Sequence, residues 1–258
     1  MLLAIDSGNT NAVFAVYDGD ELKASWRIST NSRRTADEYA IWLTQLLSLA
    51  GLKPAEIDAA IIGNVVPDAM FNLVQLCQRY LHCEPLVVGR PDCKVGIGID
   101  VDMPAQDVGA DRVANSVAAQ DRYKPPLIVV DFGTATNFDI VDRRGNYCGG
   151  VIAPGPNLSL QALEMAAAQL PHVALLRPPA VVGRSTVPAM QAGVFWGYVG
   201  LIEGIVRRIR EERGEKMGVV ATGGLAPLFA GATDTIEKVD RDLTLWGLRL
   251  IYRHNTNR

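Results

Sequence analysis

The sequence is poor in the features that mark metal cages, disulfide scaffolds, membrane spans and nucleic-acid surfaces. Its 258 residues hold four cysteines, Cys77, Cys83, Cys93 and Cys148, and none forms a C-x-x-C pair. The three histidines, His82, His172 and His254, are scattered. The one adjacent pair, His82-Cys83, does not make a zinc site. Reduced, structural thiols are the expectation. No apolar stretch approaches the ~20 residues of a membrane span. The first residues also lack the basic and then apolar pattern of a secretory signal. A net charge of −3 provides no field to draw nucleic acid or an anionic bilayer. A cytoplasmic chain with neither partner is therefore expected. What remains is ordinary for a globular protein, 48% hydrophobic and 21% charged, which argues against disorder. The length suits two domains of ~100–150 residues.

The apolar run Leu2-Leu3-Ala4-Ile5 reads as a buried strand, and it ends in Asp6-Ser7-Gly8-Asn9-Thr10. The chain then resumes as a strand over Ala12 to Tyr17, with Asp18-Gly19 as a hairpin turn. Two readings fit the Asp6 segment. One is an ordinary hairpin whose Asp and Asn fix the turn. The other is a phosphate loop, in which glycine lets backbone N–H groups approach an anion and the carboxylate faces a metal–phosphate group. The pattern recurs after the apolar strand Leu127 to Val130, as Asp131-Phe132-Gly133-Thr134-Ala135-Thr136, 125 residues on from Asp6. A return strand follows, and Asp142 to Gly145 supplies a second hairpin turn. Such a repeat points to duplicated domains with two phosphate loops rather than a solenoid.

The connecting elements alternate as in an α/β protein. Strands are expected over 21–28, 57–62, 85–88, 147–155 and 218–221. Helices are expected over 36–52, 69–81, 112–120, 159–169, 187–211 and 243–252. Residues 92–107 read as a loop, and Arg253 to Arg258 as a mobile tail. The helix 187–211 is unusually apolar, with glycines at 193, 197, 200 and 204. These suit close backbone approach, either in the core or along a dimer seam.

Gly-bearing strand ends at Gly8, Gly133 and Gly223-Gly224 make a nucleotide site the leading chemical reading, with the paired glycines able to receive a flat adenosine. Neither G-x-x-x-x-G-K-[ST] nor G-x-G-x-x-G occurs at these positions. Without a P-loop lysine, charge neutralisation falls to a cation and to oriented backbone dipoles. A phosphoryl acceptor alcohol also needs a base. Gly109-Ala110-Asp111-Arg112, at an expected helix start, offers Asp111 for that role and a guanidinium for a substrate carboxylate. The plainer alternative is a helix-start Asp beside a surface ion pair.

Together, Asp6 to Asn11, Gly109 to Arg112, Asp131 to Thr136, Thr222-Gly223-Gly224 and the stretch Ser185 to Ile205 resemble type III pantothenate kinase. The resemblance extends from the first residues to about Asn255. It implies an α/β fold of two related actin-like (ribonuclease H-like) domains flanking a nucleotide cleft, taken here as residues 1–115 and 116–258. It implies ATP-dependent phosphorylation of pantothenate, the first step towards coenzyme A. By that resemblance, Asp6, Ser7, Gly8, Asn9, Thr10, Asn11, Ala12 and Val13 form the first phosphate loop, with Asp6 near Mg2+. Asp111 is the proton acceptor, and Gly109, Ala110, Asp111 and Arg112 hold pantothenate. Asp131 binds a monovalent cation, K+ or NH4+. Thr134 touches ATP, as do Gly223 and Gly224, and Thr186 reaches the substrate across a homodimer interface. Asn137 departs from the Thr usual in the second loop, and Val101 stands near a position often occupied by a pantothenate-contacting Tyr. Ser7 and Ala114 replace commoner apolar residues. A non-catalytic nucleotide-binding regulator of this fold, or a kinase of another small alcohol, are the alternatives.

Overall fold

The computed structural model describes residues 1–166 and 171–256. The chain packs as two units, Met1–Asp121 with Asp242–Arg258, and Arg122–Arg241. The first unit begins with β1 (Leu2–Ser7), β2 (Asn11–Asp18) and β3 (Glu21–Ser29), an antiparallel set. After α1 (Ala36–Leu49) come β4 (Ala59–Asn64), α2 (Pro67–Tyr80), β5 (Pro85–Val87) and α3 (Ala110–Arg122). The sheet order is β3-β2-β1-β4-β5, with β4 and β5 parallel to β1. Sequence explains the layering. Residues 2–5 of β1 are all buried, as a central strand covered on both faces requires. Edge strand β3 alternates exposed and half-buried residues. Thr35 starts α1 through a reciprocal cap with Glu38, and Tyr39, Leu43 and Leu47 then face the core of Leu3, Ile5, Phe14 and Val16.

The second unit repeats the pattern. Its strands are β6 (Leu127–Phe132), β7 (Ala135–Val141), β8 (Tyr147–Pro154), then β9 (Gly218–Gly223) and β10 (Lys238–Val239). Its sheet order, β8-β7-β6-β9-β10, reproduces the first one strand for strand. Helices α4 (Pro156–Ala166), α5 (Thr186–Arg213) and α6 (Ala226–Ala230) connect them. Phe195, Val199, Ile202 and Val206 of α5 pack on the sheet through Val130, Phe138 and Val219.

Several details differ from the expectations. The final helix, α7 (Leu243–Thr256), packs against β1 and β4 of the first unit. The division therefore differs from the expected 1–115 and 116–258, and α3 runs through residues 115 and 116 without a break. The tail expected to be mobile is helical through Thr256. Asn255 accepts from the Lys94 amide at 2.8 Å and donates to its carbonyl at 2.7 Å. Helix α4 starts three residues before the expected Ser159, and its expected last stretch, 167–169, lies outside the described residues. Strand β10 and helix α6 were not foreseen. Helix α5 is long and apolar enough to cross a membrane by length and composition, where no such stretch was expected. Its buried residues supply one wall of the second core.

Helices α3 and α7 are counterparts, since each follows the fifth strand of its sheet. They cross at the fifth residue of each. A Cβ on Gly247 would overlap the Ala114 carbonyl oxygen, and Thr244 Oγ1 donates to Asn115 Oδ1 at 2.7 Å. Farther along α7, buried Arg249 donates to the Gly19 carbonyl at 2.8 Å, pairs with Asp20 and lies 4.3 Å over the Trp246 ring. These bonds tie α7 to the β2–β3 turn.

Candidate active site

In the first unit Asp6 is the fifth residue of β1, in register with Val13 on β2 and Gly63 on β4. It is half-buried between two buried neighbours, Ile5 and Ser7. The turn beyond it is closed by Gly8 N–H donating to the Asn11 carbonyl at 3.0 Å. Thr30, the residue after β3, holds the same turn twice. Its amide donates to the Thr10 carbonyl at 2.9 Å, and its hydroxyl donates to the Gly8 carbonyl at 2.6 Å. Asn9 and Thr10 are exposed, whereas Ser7 and Ala12 bury their side chains, and Ser7 Oγ has no hydrogen-bond partner there. The Ser7 side chain is thus turned inward on the face of β1 that also carries Leu3 and Ile5.

Gly109 caps α3, accepting the Val113 amide at 3.1 Å. One residue into the helix, Asp111 folds its carboxylate back so that Oδ1 accepts the Arg112 amide at 2.8 Å. A Cβ on Gly109 would sit 2.7 Å from that oxygen, so the carboxylate occupies space that only glycine leaves open. Burial pushes the Asp111 carboxyl above its usual range, outweighing the Arg112 amide, the Arg112 charge and its own amide, which pull it down. The helix start abuts the strand ends that carry Asp6. A Cβ on Gly63, opposite Asp6, would lie 3.6 Å from Ala110 Cβ. The fold thus brings Asp6 and residues 109–112 to one edge of the first sheet. Val101 is half-buried in the preceding loop.

In the second unit Asp131 is likewise the fifth residue of β6 and half-buried, in register with Asn137 and Thr222. The departure at Asn137 therefore stands directly across the ladder from Asp131. Gly133 N–H donates to the Ala135 carbonyl at 3.0 Å, and Thr134 is exposed at the tip. Gly223 has φ +90° and lies so close to β6 that a Cβ would be 2.5 Å from the Phe132 carbonyl oxygen, while Gly224 faces open space. Both glycine-bearing ends thus meet at one sheet edge. Thr186 is the exposed first residue of α5. Sequence reasoning missed Thr30, Gly63 and Gly155. Gly155 donates its amide to the Thr134 carbonyl at 2.9 Å. Its Pro-Gly context signalled only a strand exit. Among the described residues no three His, Cys, Asp or Glu side chains cluster as a metal cage.

Two sheets of one order, each ending its central strand in a carboxylate beside a glycine turn, define the class by fold: two related actin-like α/β units. The Entamoeba histolytica acetate kinase shares this fold, with a TM-score of 0.56 at 9% identity and full coverage of both chains. Residues 2–208 match the family model described as type III pantothenate kinase. The type III pantothenate kinase of Paramagnetospirillum magneticum is 64% identical over 256 residues, covering 99% of this chain and 98% of its own. That of Rhodospirillum rubrum is 62% identical over 255 residues, covering 99% of each. The chain belongs to the type III pantothenate kinase family.

Proposed function

We propose that this chain transfers the terminal phosphoryl group of ATP to the hydroxyl of pantothenate, giving 4'-phosphopantothenate for coenzyme A synthesis in the cytoplasm. The observation that carries the reading is the Asp111 carboxylate, folded over the start of α3 at the sheet edge that bears Asp6. In a loose phosphoryl transfer the acceptor hydroxyl must chiefly be aimed, and its proton leaves late. Asp111 does both, and its raised pKa makes it a better acceptor than an exposed Asp. Gly109, Ala110 and Arg112 complete the substrate end, with the guanidinium taking the pantothenate carboxylate. Backbone amides of residues 6–13, together with Thr134, hold the phosphates, and Gly223-Gly224 leaves room for the adenosine.

The residues present fit Mg2+ and a monovalent cation, because hard cations take oxygen ligands and each turn offers one carboxylate with backbone carbonyls beside it. Among the described residues no three His, Cys, Asp or Glu side chains form a cage, so Asp6 would hold Mg2+ together with the phosphates of the nucleotide. Asp131 serves K+ or NH4+. These ions supply charge neutralisation when bound.

We also read the chain as a homodimer. Gly193, Gly197 and Gly200 lie exposed along α5 with nothing within 4 Å of a would-be Cβ. That smooth face suits a second copy, which would bring Thr186 to its partner's substrate. The test is ADP release from Mg-ATP with pantothenate plus potassium or ammonium. Binding of both ligands without pantothenate-dependent turnover would make the chain a nucleotide-binding regulator. Turnover with another alcohol in a substrate panel would reassign the acceptor.

A further inference from the structure

We propose that Tyr198 is a positioning residue for the nucleotide, holding the second turn through a relay of hydrogen bonds that ends on the Thr134 carbonyl. The proposal rests on the reading that the Gly133-Thr134 turn receives ATP. Tyr198 is buried on α5, a helix remote in sequence from that turn. Its hydroxyl donates to the Pro154 carbonyl at 2.6 Å. With that proton committed, Ser159 Oγ is the donor in the 2.6 Å bond between the two hydroxyls. Ser159 N–H donates to the Gly155 carbonyl at 2.9 Å, and Gly155 N–H donates to the Thr134 carbonyl at 2.9 Å. The residues on either side of the Pro154–Gly155 peptide are thus fixed, one by Tyr198 and the other by the first turn of α4.

The fit leaves no slack. A Cβ on Gly155 would overlap the Thr134 carbonyl oxygen and come within 2.7 Å of the Gly133 oxygen. Any drift of the Pro154–Gly155 peptide is therefore passed to the turn as a backbone displacement. The ring of Tyr198 adds a second route. It lies 6.0 Å from Phe229, which stacks at 5.2 Å on Phe132, the residue before Gly133. Buried tyrosines need a partner for the hydroxyl. Here the hydroxyl is spent on the two elements that back the turn, Pro154 of β8 and Ser159 of α4, and Tyr198→Phe would keep the ring while losing both bonds.

The experiment compares Tyr198→Phe, Ser159→Ala and Thr134→Ala in the full chain, measuring KM for ATP and for pantothenate separately along with thermal stability. For Tyr198→Phe we expect KM for ATP to rise about tenfold while KM for pantothenate moves less than about twofold. Ser159→Ala keeps the Tyr198–Pro154 bond and should raise KM for ATP about threefold, as a weaker copy of the same split. Should Tyr198→Phe fail to fold, the Ser159→Ala split decides. A lower melting temperature with both KM values unchanged, or with both raised equally, overturns the positioning role and leaves Tyr198 structural. Thr134→Ala separates the two layers of inference. A raised KM for ATP there with none in Tyr198→Phe sinks the relay alone, and no effect in Thr134→Ala removes the turn from the nucleotide site and the proposal with it.

Discussion

The turn after Asp6 and the turn after Asp131 share one frame but are braced differently. Both follow six-residue central strands with the same burial pattern. Both are held by the residue after the third strand of their sheet, Thr30 in one and Gly155 in the other, which are also 125 residues apart. Each donates its amide at 2.9 Å to a turn carbonyl, of Thr10 or of Thr134. From there they diverge. Four residues separate the paired Ser7 and Ala12, and three separate Phe132 and Thr136. The longer turn has room for a side chain on its brace, and Thr30 uses its hydroxyl. The shorter one presses so close that the brace is glycine, and the missing hydroxyl is replaced at a distance by Tyr198. Duplication preserved the backbone bond, while each half found its own way to stiffen it.

The largest effect should come from the feature that the second half lacks, the carboxylate at the start of α3. Asp111→Asn should lower kcat by about 10²–10⁴-fold with little change in pantothenate binding by calorimetry. Comparable turnover would remove Asp111 from the catalytic role. The same variant carries a stability signature. Burial raises the folded-state pKa of Asp111, so the native chain holds the proton more tightly than the unfolded one. Native stability is then lost as pH rises from the ordinary carboxylate value through the raised one. An asparagine has no proton to lose. Asp111→Asn should therefore melt higher than wild type at neutral pH, with the difference closing below about pH 4.

Next in size are the braces. Gly155→Ala should destabilise the chain by about 1–3 kcal/mol in denaturant titrations, because the overlapped atoms are backbone and cannot swing aside. Gly63→Ala makes the useful contrast, since its tightest neighbour is Leu248 Cδ2 at 2.9 Å, the movable end of a side chain. It should cost under about 1 kcal/mol. A third comparison concerns cations. Asp131→Ala should abolish the potassium dependence of turnover while leaving the Mg2+ titration in place, and the reverse result would exchange the two aspartates. Thr30→Val removes one hydroxyl bond and should cost about 1 kcal/mol, with a few-fold rise in KM for ATP. If Thr30→Val matches Tyr198→Phe in its ATP effect, the two braces are equivalent after all.

Much of this comparison could be read from local patterns. A buried strand, an Asp and a glycine turn are contiguous, so Asp6, Gly8, Asp131 and Gly133 stood out, as did Gly109 to Arg112 at a helix start. The braces could not be read, because each is a bond between residues far apart in the chain. Nothing in the composition around Thr30 marks its hydroxyl as aimed at Gly8, and Tyr198 sat inside an apolar helix where a core role was the simpler reading. Strand β10 has only two residues and no hydrophobic alternation. The period of two along β1 turns the Ser7 side chain inward, which its place in a polar turn motif did not signal. The terminal residues looked mobile because they are polar, and polarity gave no sign of the Asn255 bonds to the Lys94 backbone.

The crossing of α3 and α7 has a consequence for the order of synthesis. Protein domains generally fold as units, the N-terminal one first as it leaves the ribosome. Here the second unit is a single uninterrupted segment and can close when Arg241 is made. The first unit lacks its last helix until residues 243–256 are made, so the seat for Gly247 against Ala114 stays bare until then. A truncated product would keep the turn at Asp131 and its braces. It would lose the support under the helix that carries Asp111. The half that is made first is the half that is finished last.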